Sequence, residues 1–257
     1  MYEEEVKEFG VSYKWNNAII KDSIITHRGT KVEMIERPNW GIACYMDNTI
    51  QSSEIDEKIY HEALVHPIMS NDVKKVLIIG GGEGATAREV LKWPVEEVDM
   101  IEWDKDVVEL FRTKYPQWAK GAWDDPRLTI EHSDIFKKTI SKKYDVIIID
   151  LFEPDNCKQM NSLLKKLHNC ITLNGSIVMY AGMRNILVKQ PYQKLIEESQ
   201  ETWRGIPIQE SKIIPYKVYI PSFSGESVFL LINKNNFEWT TSNITNDIWN
   251  SYKTFNW

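Results

Sequence analysis

The spacing of hydrophobic and polar positions changes character along the chain. Up to about Met46 the apolar residues come in short alternating runs, Ile19–Ile25, Lys31–Glu36 and Gly41–Met46, which read as strands. Pro38-Asn39 and Asp47-Asn48 separate them as turns, so the pattern predicts a small antiparallel sheet. Over Ser53–Val65 the period becomes helical. Ile55, Tyr60, Leu64 and Val65 share a face, with Ser53 or Asp56 as the cap. From Lys74 onward, continuous apolar runs alternate with amphipathic ones. Strands are predicted at Val76–Ile79, Val98–Ile101, Leu128–Glu131, Val146–Ile149 and Ser176–Met179. Helices are predicted at Ala85–Lys92, Lys105–Thr113 and Asn161–Asn169. Strands in βαβα order that are apolar throughout belong to a mostly parallel sheet covered on both faces. Lys217–Ile220 and Val228–Ile232 flank Pro221–Gly225 and form an antiparallel pair at the sheet edge. The fold class expected is α/β, with a small antiparallel β domain and its connecting helix over residues 1–70 and the parallel-sheet domain over 71–257.

The chemistry gathers where the first parallel strand ends. Strand Val76–Ile79 runs into Gly80-Gly81-Gly82-Glu83-Gly84 and then a helix, a turn whose backbone can approach a ligand closely. About twenty residues on, the second strand ends in Glu102, placed to accept hydrogen bonds from ribose hydroxyls. Asp134 follows the third strand, where an adenine amino group is read. Together these elements point to an adenosine-bearing ligand. The turn does not match the pyrophosphate fingerprint GxGxxG, and the Glu83 carboxylate repels a pyrophosphate while suiting an amine or a sulfonium.

Composition narrows the partners. The chain has 257 residues, 42% hydrophobic and 26% charged, with net charge −6, which disfavours a phosphate-tracking nucleic-acid binder. No run reaches the ~20 apolar residues of a membrane span. The acidic start lacks a secretory pattern. Three widely spaced cysteines, Cys44, Cys157 and Cys170, form neither a disulfide framework nor a metal motif, and fit a reducing cytoplasm. Ten tryptophans serve as core and interface anchors. The acidic runs around Glu3–Glu5 and the basic run Lys137–Lys143 read as solvated faces.

Several motifs then resemble one family. Met46-Asp47-Asn48-Thr49-Ile50-Gln51, Asp56-Glu57, Tyr60-His61-Glu62 and His66-Pro67 are similar to the aminopropyltransferase signature. VLIIGGGEGATAREVLKW (76–93), GAWDDPR (121–127), YDVIIIDLFEP (144–154) and YIPSFSG (219–225) follow in the order of the polyamine aminopropyltransferases, the spermidine synthase family. The GGGEG form and the stretch IQSSEIDEKIYHE resemble its thermospermine synthase branch. The resemblance runs over roughly residues 30 to 232. It implies a Rossmann-like methyltransferase-type domain behind a small β domain, decarboxylated S-adenosylmethionine as donor substrate with no permanently bound cofactor and no metal, and a polyamine acceptor. It also implies a homodimer or homotetramer.

By that resemblance Asp150 is the acid–base residue and Tyr60 orients the attacking amine. Gln51, His61 and the turn glycines Gly80, Gly82 and Gly84 contact the donor. Glu83 takes the donor's ammonium, Glu102 its ribose and Asp134 its adenine. Glu153 and Phe223 face the acceptor. The chain departs from the family at Glu153, where an aspartate is usual, and in lacking the glycine- and proline-rich stretch after it. Thr30 stands where relatives often carry a glutamine. Putrescine is the expected acceptor and spermidine the alternative. A methyltransferase and a non-catalytic binding protein are the competing readings of the same fold.

Overall fold

The structure is a computed structural model that describes residues 1–6, 10–151, 157–184, 212–233 and 250–252. The chain opens with a ribbon, β1 (Tyr2–Val6) paired antiparallel with β2 (Val11–Trp15). A four-stranded antiparallel sheet follows in simple order, built from β3 (Ile19–Ile25), β4 (Lys31–Arg37), β5 (Gly41–Met46) and β6 (Thr49–Ser53). Asp47 and Asn48 both have positive φ, as a two-residue hairpin turn between right-twisted strands requires. The ribbon and β6 do not appear in the sequence reading. Glu3 to Glu5 is also not a solvated face throughout. Glu4 is buried and accepts from Trp15 Nε1 at 2.7 Å and Tyr45 Oη at 2.9 Å, so a charged residue anchors the ribbon to the sheet. Arg37 lies under Trp15 and Trp40, 4.6 and 5.3 Å from the ring centres.

Helix α1 (Glu57–Val65) starts later than the period suggests, because Ser53 closes β6. Asp56 occupies the cap position but does not cap. Its carboxylate accepts from the Ser222 N–H at 2.6 Å and the Ser222 hydroxyl at 2.8 Å, tying the helix start to a turn late in the chain.

The second sheet has seven strands. Its parallel part comprises β7 (Lys75–Gly80), β8 (Glu97–Glu102), β9 (Leu128–His132), β10 (Tyr144–Asp150) and β11 (Ile171–Arg184). Helices α2 (Ala85–Leu91), α3 (Lys105–Lys114) and α4 (Cys157–His168) connect or cover them. Antiparallel β13 (Gly225–Asn233) and β12 (Lys212–Ile220) complete one edge. The strand order is β12-β13-β11-β10-β7-β8-β9. The chain therefore leaves β7 toward β8 and returns on its other side as β10. That reversal is the crevice where open α/β sheets bind ligands.

Alternation within β7 explains the layers. Val76 and Ile78 join a core that includes α1, α2, Trp118 and Met34 and Cys44 of the small sheet. Leu77 and Ile79 face Leu163, Leu164 and Leu167 of α4. One apolar core thus runs from the small sheet into the large one. Among the described residues, no helix is long and apolar enough to cross a membrane.

Candidate active site

The parallel register sets Asp150, the last residue of β10, beside Gly80, the last residue of β7. Gly80 has φ +84°, and a Cβ there would lie 2.1 Å from the Asp150 carbonyl oxygen, so only glycine fits. Gly84 also has positive φ, and a Cβ there would stand 2.4 Å from the Trp123 ring. A Cβ on Gly82 would come within 3.2 Å of Glu102 Oε2, so the bare backbone leaves that carboxylate reachable.

The Asp150 carboxylate is held on both oxygens. Tyr60 Oη of α1 donates to Oδ1 at 3.0 Å, and Thr86 Oγ1 of α2 donates to Oδ2 at 2.5 Å. Burial, and then the Asp150 charge, push the Tyr60 phenol well above its usual range, so it stays a proton donor. The rings of Tyr180, Phe223 and Phe229 lie 5.7, 5.8 and 5.4 Å from that of Tyr60 and wall it in.

His61 has acceptors on both sides. Its Nε2 faces Glu83 Oε1 at 2.6 Å, and its Nδ1 faces the Glu57 carbonyl at 2.6 Å and Glu57 Oε2 at 3.1 Å. Two ring nitrogens facing only acceptors must both carry protons. Burial alone would lower the His61 pKa, but the charge of Glu83 and the hydrogen bonds to Glu57 and Glu83 outweigh it and raise it to about 10. His61 is therefore an imidazolium.

The chain of charges continues inward. Arg88 on α2 grips Glu57 with both terminal nitrogens, at 3.0 and 2.8 Å, and donates from Nε to Glu89 at 2.8 Å. Glu89 in turn meets His66 Nε2 at 2.9 Å and Lys92 Nζ at 2.5 Å. Burial works against the Glu89 charge, yet His66, Lys92 and Arg88 hold its pKa down at about 2. Glu62, His66 and Glu89 lie close enough to ligate a metal. However, Trp93 Nε1 donates to His66 Nδ1 at 3.1 Å, so the His66 proton sits on Nε2, in the bond to Glu89.

Glu102 accepts the Asp104 N–H at 2.8 Å. Desolvation dominates its titration and, despite the backbone bonds from Asp104 and Trp103, lifts its pKa to about 7. Asp134 accepts the Phe136 N–H at 3.0 Å and pairs with Lys137 at 3.1 Å. Gln51 lies in β6 with its amide on the Thr49 carbonyl at 3.0 Å, a bond to its own hairpin rather than to the acidic cluster. Glu153, and the shortened stretch that follows it, fall outside the described residues.

The sequence reading thus meets in one place for Asp150, Tyr60, His61, Glu83, Gly80 and Phe223. It took Glu57 as part of the signature without a role, and it passed over Thr86 and Arg88. Their signal was an Arg-Glu pair and a threonine inside the otherwise apolar run of α2.

A group of carboxylates around a glycine turn, at the switch point of a mostly parallel sheet, defines an α/β enzyme whose site suits a cationic ligand. The comparisons with known proteins agree. The spermine/spermidine synthase domain matches residues 57–243. A polyamine aminopropyltransferase of Pyrobaculum calidifontis is 36% identical over 214 residues, covering 78% of this chain and 71% of that protein. One from Prochlorococcus marinus is 32% identical over 235 residues, covering 86% and 81%. A spermidine synthase solved with the transition-state analogue AdoDATO superposes with TM-score 0.81 at 22% identity, over 99% of this chain and 92% of that one. The spermidine synthase of Thermotoga maritima gives 0.77 at 24% identity, over 99% and 91%. The chain belongs to the spermine/spermidine synthase family.

Proposed function

We propose that this enzyme, a polyamine aminopropyltransferase, moves the aminopropyl group of decarboxylated S-adenosylmethionine to putrescine, releasing spermidine and 5′-methylthioadenosine. The observation that carries the residue assignments is the Asp150 carboxylate at the switch point, held by Tyr60 beside the turn that bears Glu83. An alkylamine is protonated at neutral pH, with a pKa of roughly 10. The acceptor must therefore lose a proton as it attacks the carbon next to sulfur. Asp150 takes that proton, and Tyr60 aims the lone pair. The carbon–sulfur electron pair stays on sulfur, which leaves as a neutral thioether.

Glu83 receives the donor's ammonium with His61 beside it, and Gln51 contacts the donor. Glu102 receives the ribose hydroxyls and Asp134 the adenine. Gly80, Gly82 and Gly84 let the backbone approach the ligand. On the acceptor side, Phe223 and the aromatic wall near Tyr60 suit a methylene chain, and Glu153 receives an amine end. Spermidine as acceptor is the second reading, favoured by Glu83 and Phe223, which resemble the thermospermine branch. The reading includes a cytoplasmic homodimer or homotetramer. The exposed Ile19, Ile20 and Ile25 of β3 and Val11 of β2 support self-association.

Mass spectrometry of products tests the reading, with decarboxylated donor and, separately, putrescine, agmatine, cadaverine, spermidine or no amine. Aminopropylated putrescine is expected. Asp150→Asn is expected to lower kcat by about 10²–10⁴-fold. Product from spermidine alone would move the assignment to the second reading, and S-adenosylhomocysteine formed from the undecarboxylated donor would overturn it.

A further inference from the structure

We propose that Thr86 is a positioning residue for the transfer: together with Tyr60 it pins both oxygens of Asp150 and fixes the plane in which that carboxylate meets the acceptor amine. The inference rests on the reading of Asp150 as the base. Thr86 sits in the first turn of α2 and is fully buried. Valine has nearly the same shape, and a hydroxyl in such a place is costly unless it is bonded. Its bond goes to Asp150 Oδ2 at 2.5 Å, the length expected for a hydroxyl on an ionised carboxylate. Oδ1 is held at 3.0 Å by Tyr60 from a different helix. The last torsion of an aspartate is soft, so a carboxylate with one anchor swings about its Cβ–Cγ bond. Anchors on opposite oxygens, supplied by α1 and α2, remove that freedom.

The local packing is built around this bond. Gly81 has φ +79°, and a Cβ there would stand 3.5 Å from Asp150 Oδ2 and 3.6 Å from Thr86 Cβ, so the turn runs directly over the pair. Among the described residues, the ionisable neighbours that bear on Asp150 or its Tyr60 partner are His61 of α1, Glu83 of the turn, Glu102 of β8 and Tyr180 of β11. The hydrogen bond that reaches Oδ2 comes from Thr86. In the transfer, the amine N–H bond breaks as an O–H bond forms on Asp150 and a new N–C bond replaces the S–C bond. A hydroxyl can turn from donor to acceptor, so Thr86 stays bonded to whichever protonation state Asp150 holds.

The test compares wild type, Thr86→Val, Thr86→Ser and Asp150→Asn, with decarboxylated S-adenosylmethionine and both putrescine and spermidine. Thermal unfolding of each checks the fold, and Thr86→Ala is a second hydroxyl-free variant should Thr86→Val not fold. Thr86→Val is expected to lower kcat by at least about tenfold while the donor KM stays within about twofold. Its acid limb of kcat moves to higher pH, because a donor to the ionised carboxylate has been lost. Thr86→Ser restores most of the rate. Unchanged kcat and pH profile in the hydroxyl-free variants, or a Thr86→Ser as slow as Thr86→Val, would overturn the proposal for Thr86 alone. Full turnover in Asp150→Asn would overturn the assignment of the base and, with it, this proposal.

Discussion

A carboxylate of raised pKa at the end of a strand couples ligand binding to pH. Burial lifts Glu102 to about 7, so between the ordinary glutamate range and neutrality the folded protein holds a proton that the unfolded chain has lost. In that window stability falls as pH rises. On the proposed reading a ribose diol donates hydrogen bonds to Glu102 and needs its ionised form, so the ligand pulls the proton off. Donor affinity is therefore expected to fall about tenfold per pH unit below 7 and to level off above it. Fluorescence titration between pH 5.5 and about 8.5 measures this, and Glu102→Gln binds weakly at every pH. A flat wild-type profile would mean that Glu102 does not hold the ribose. This protonation behaviour was not legible in the sequence. The position of Glu102 could be read from the strand–turn–helix pattern, whereas its desolvation depends on the packing around Gly82 and on Val107 of α3, whose Cγ1 would stand 3.1 Å from a Cβ there.

At the scale of elements, α1 and α2 are joined by charge as much as by apolar contact. Arg88 is nearly buried and binds Glu57 of α1 and Glu89 of its own helix. Removing it leaves two buried carboxylates short of a cation, which costs about 3–5 kcal/mol. Arg88→Met is expected to lower the urea midpoint by a matching amount. A midpoint within error of wild type would show that the network adds nothing to stability. The same elements mark the limits of a linear reading. Apolar runs located β7, β8 and β10 to within two residues, because strands buried on both faces have no other pattern. The ribbon went unread because Glu3–Glu5 looks solvated, yet Glu4 points inward onto Trp15 and Tyr45. β11 was read only over its apolar middle, although it runs on through a bulge after Tyr180. In Arg88 and Thr86 a polar residue inside an apolar run served partners from other elements, and nothing local names those partners.

At the scale of the whole molecule, the two sheets share one core and lean on one crevice. α1 carries Tyr60 and His61 on the helix that follows the small sheet directly, while Asp56 fastens its start to Ser222. The aromatic wall draws Tyr60 from α1, Tyr180 from β11 and Phe223 from the late turn. A site assembled from segments so far apart in sequence forms only when both sheets are in place. The motif order along the chain therefore pointed to the site, and the geometry that makes it one is tertiary.

The string from Glu83 through His61, Glu57, Arg88 and Glu89 to Lys92 alternates in sign from end to end. The string is thus balanced within itself, three carboxylates against three cations. Asp150 stands outside it, held by two hydroxyls. On the proposed reading, a ligand ammonium that settles on Glu83 shares that carboxylate with His61. Both ring nitrogens of His61 face acceptors, so the imidazolium keeps its proton while the donor binds. At about pH 8, where Glu102 is already ionised, calorimetry in buffers of different protonation enthalpy is expected to give equal heats. Heats that differ between buffers would mean that His61 gives up its proton. When the transferred group takes its ammonium away, His61 is still on Glu83, so that carboxylate holds a counter-charge through the whole cycle.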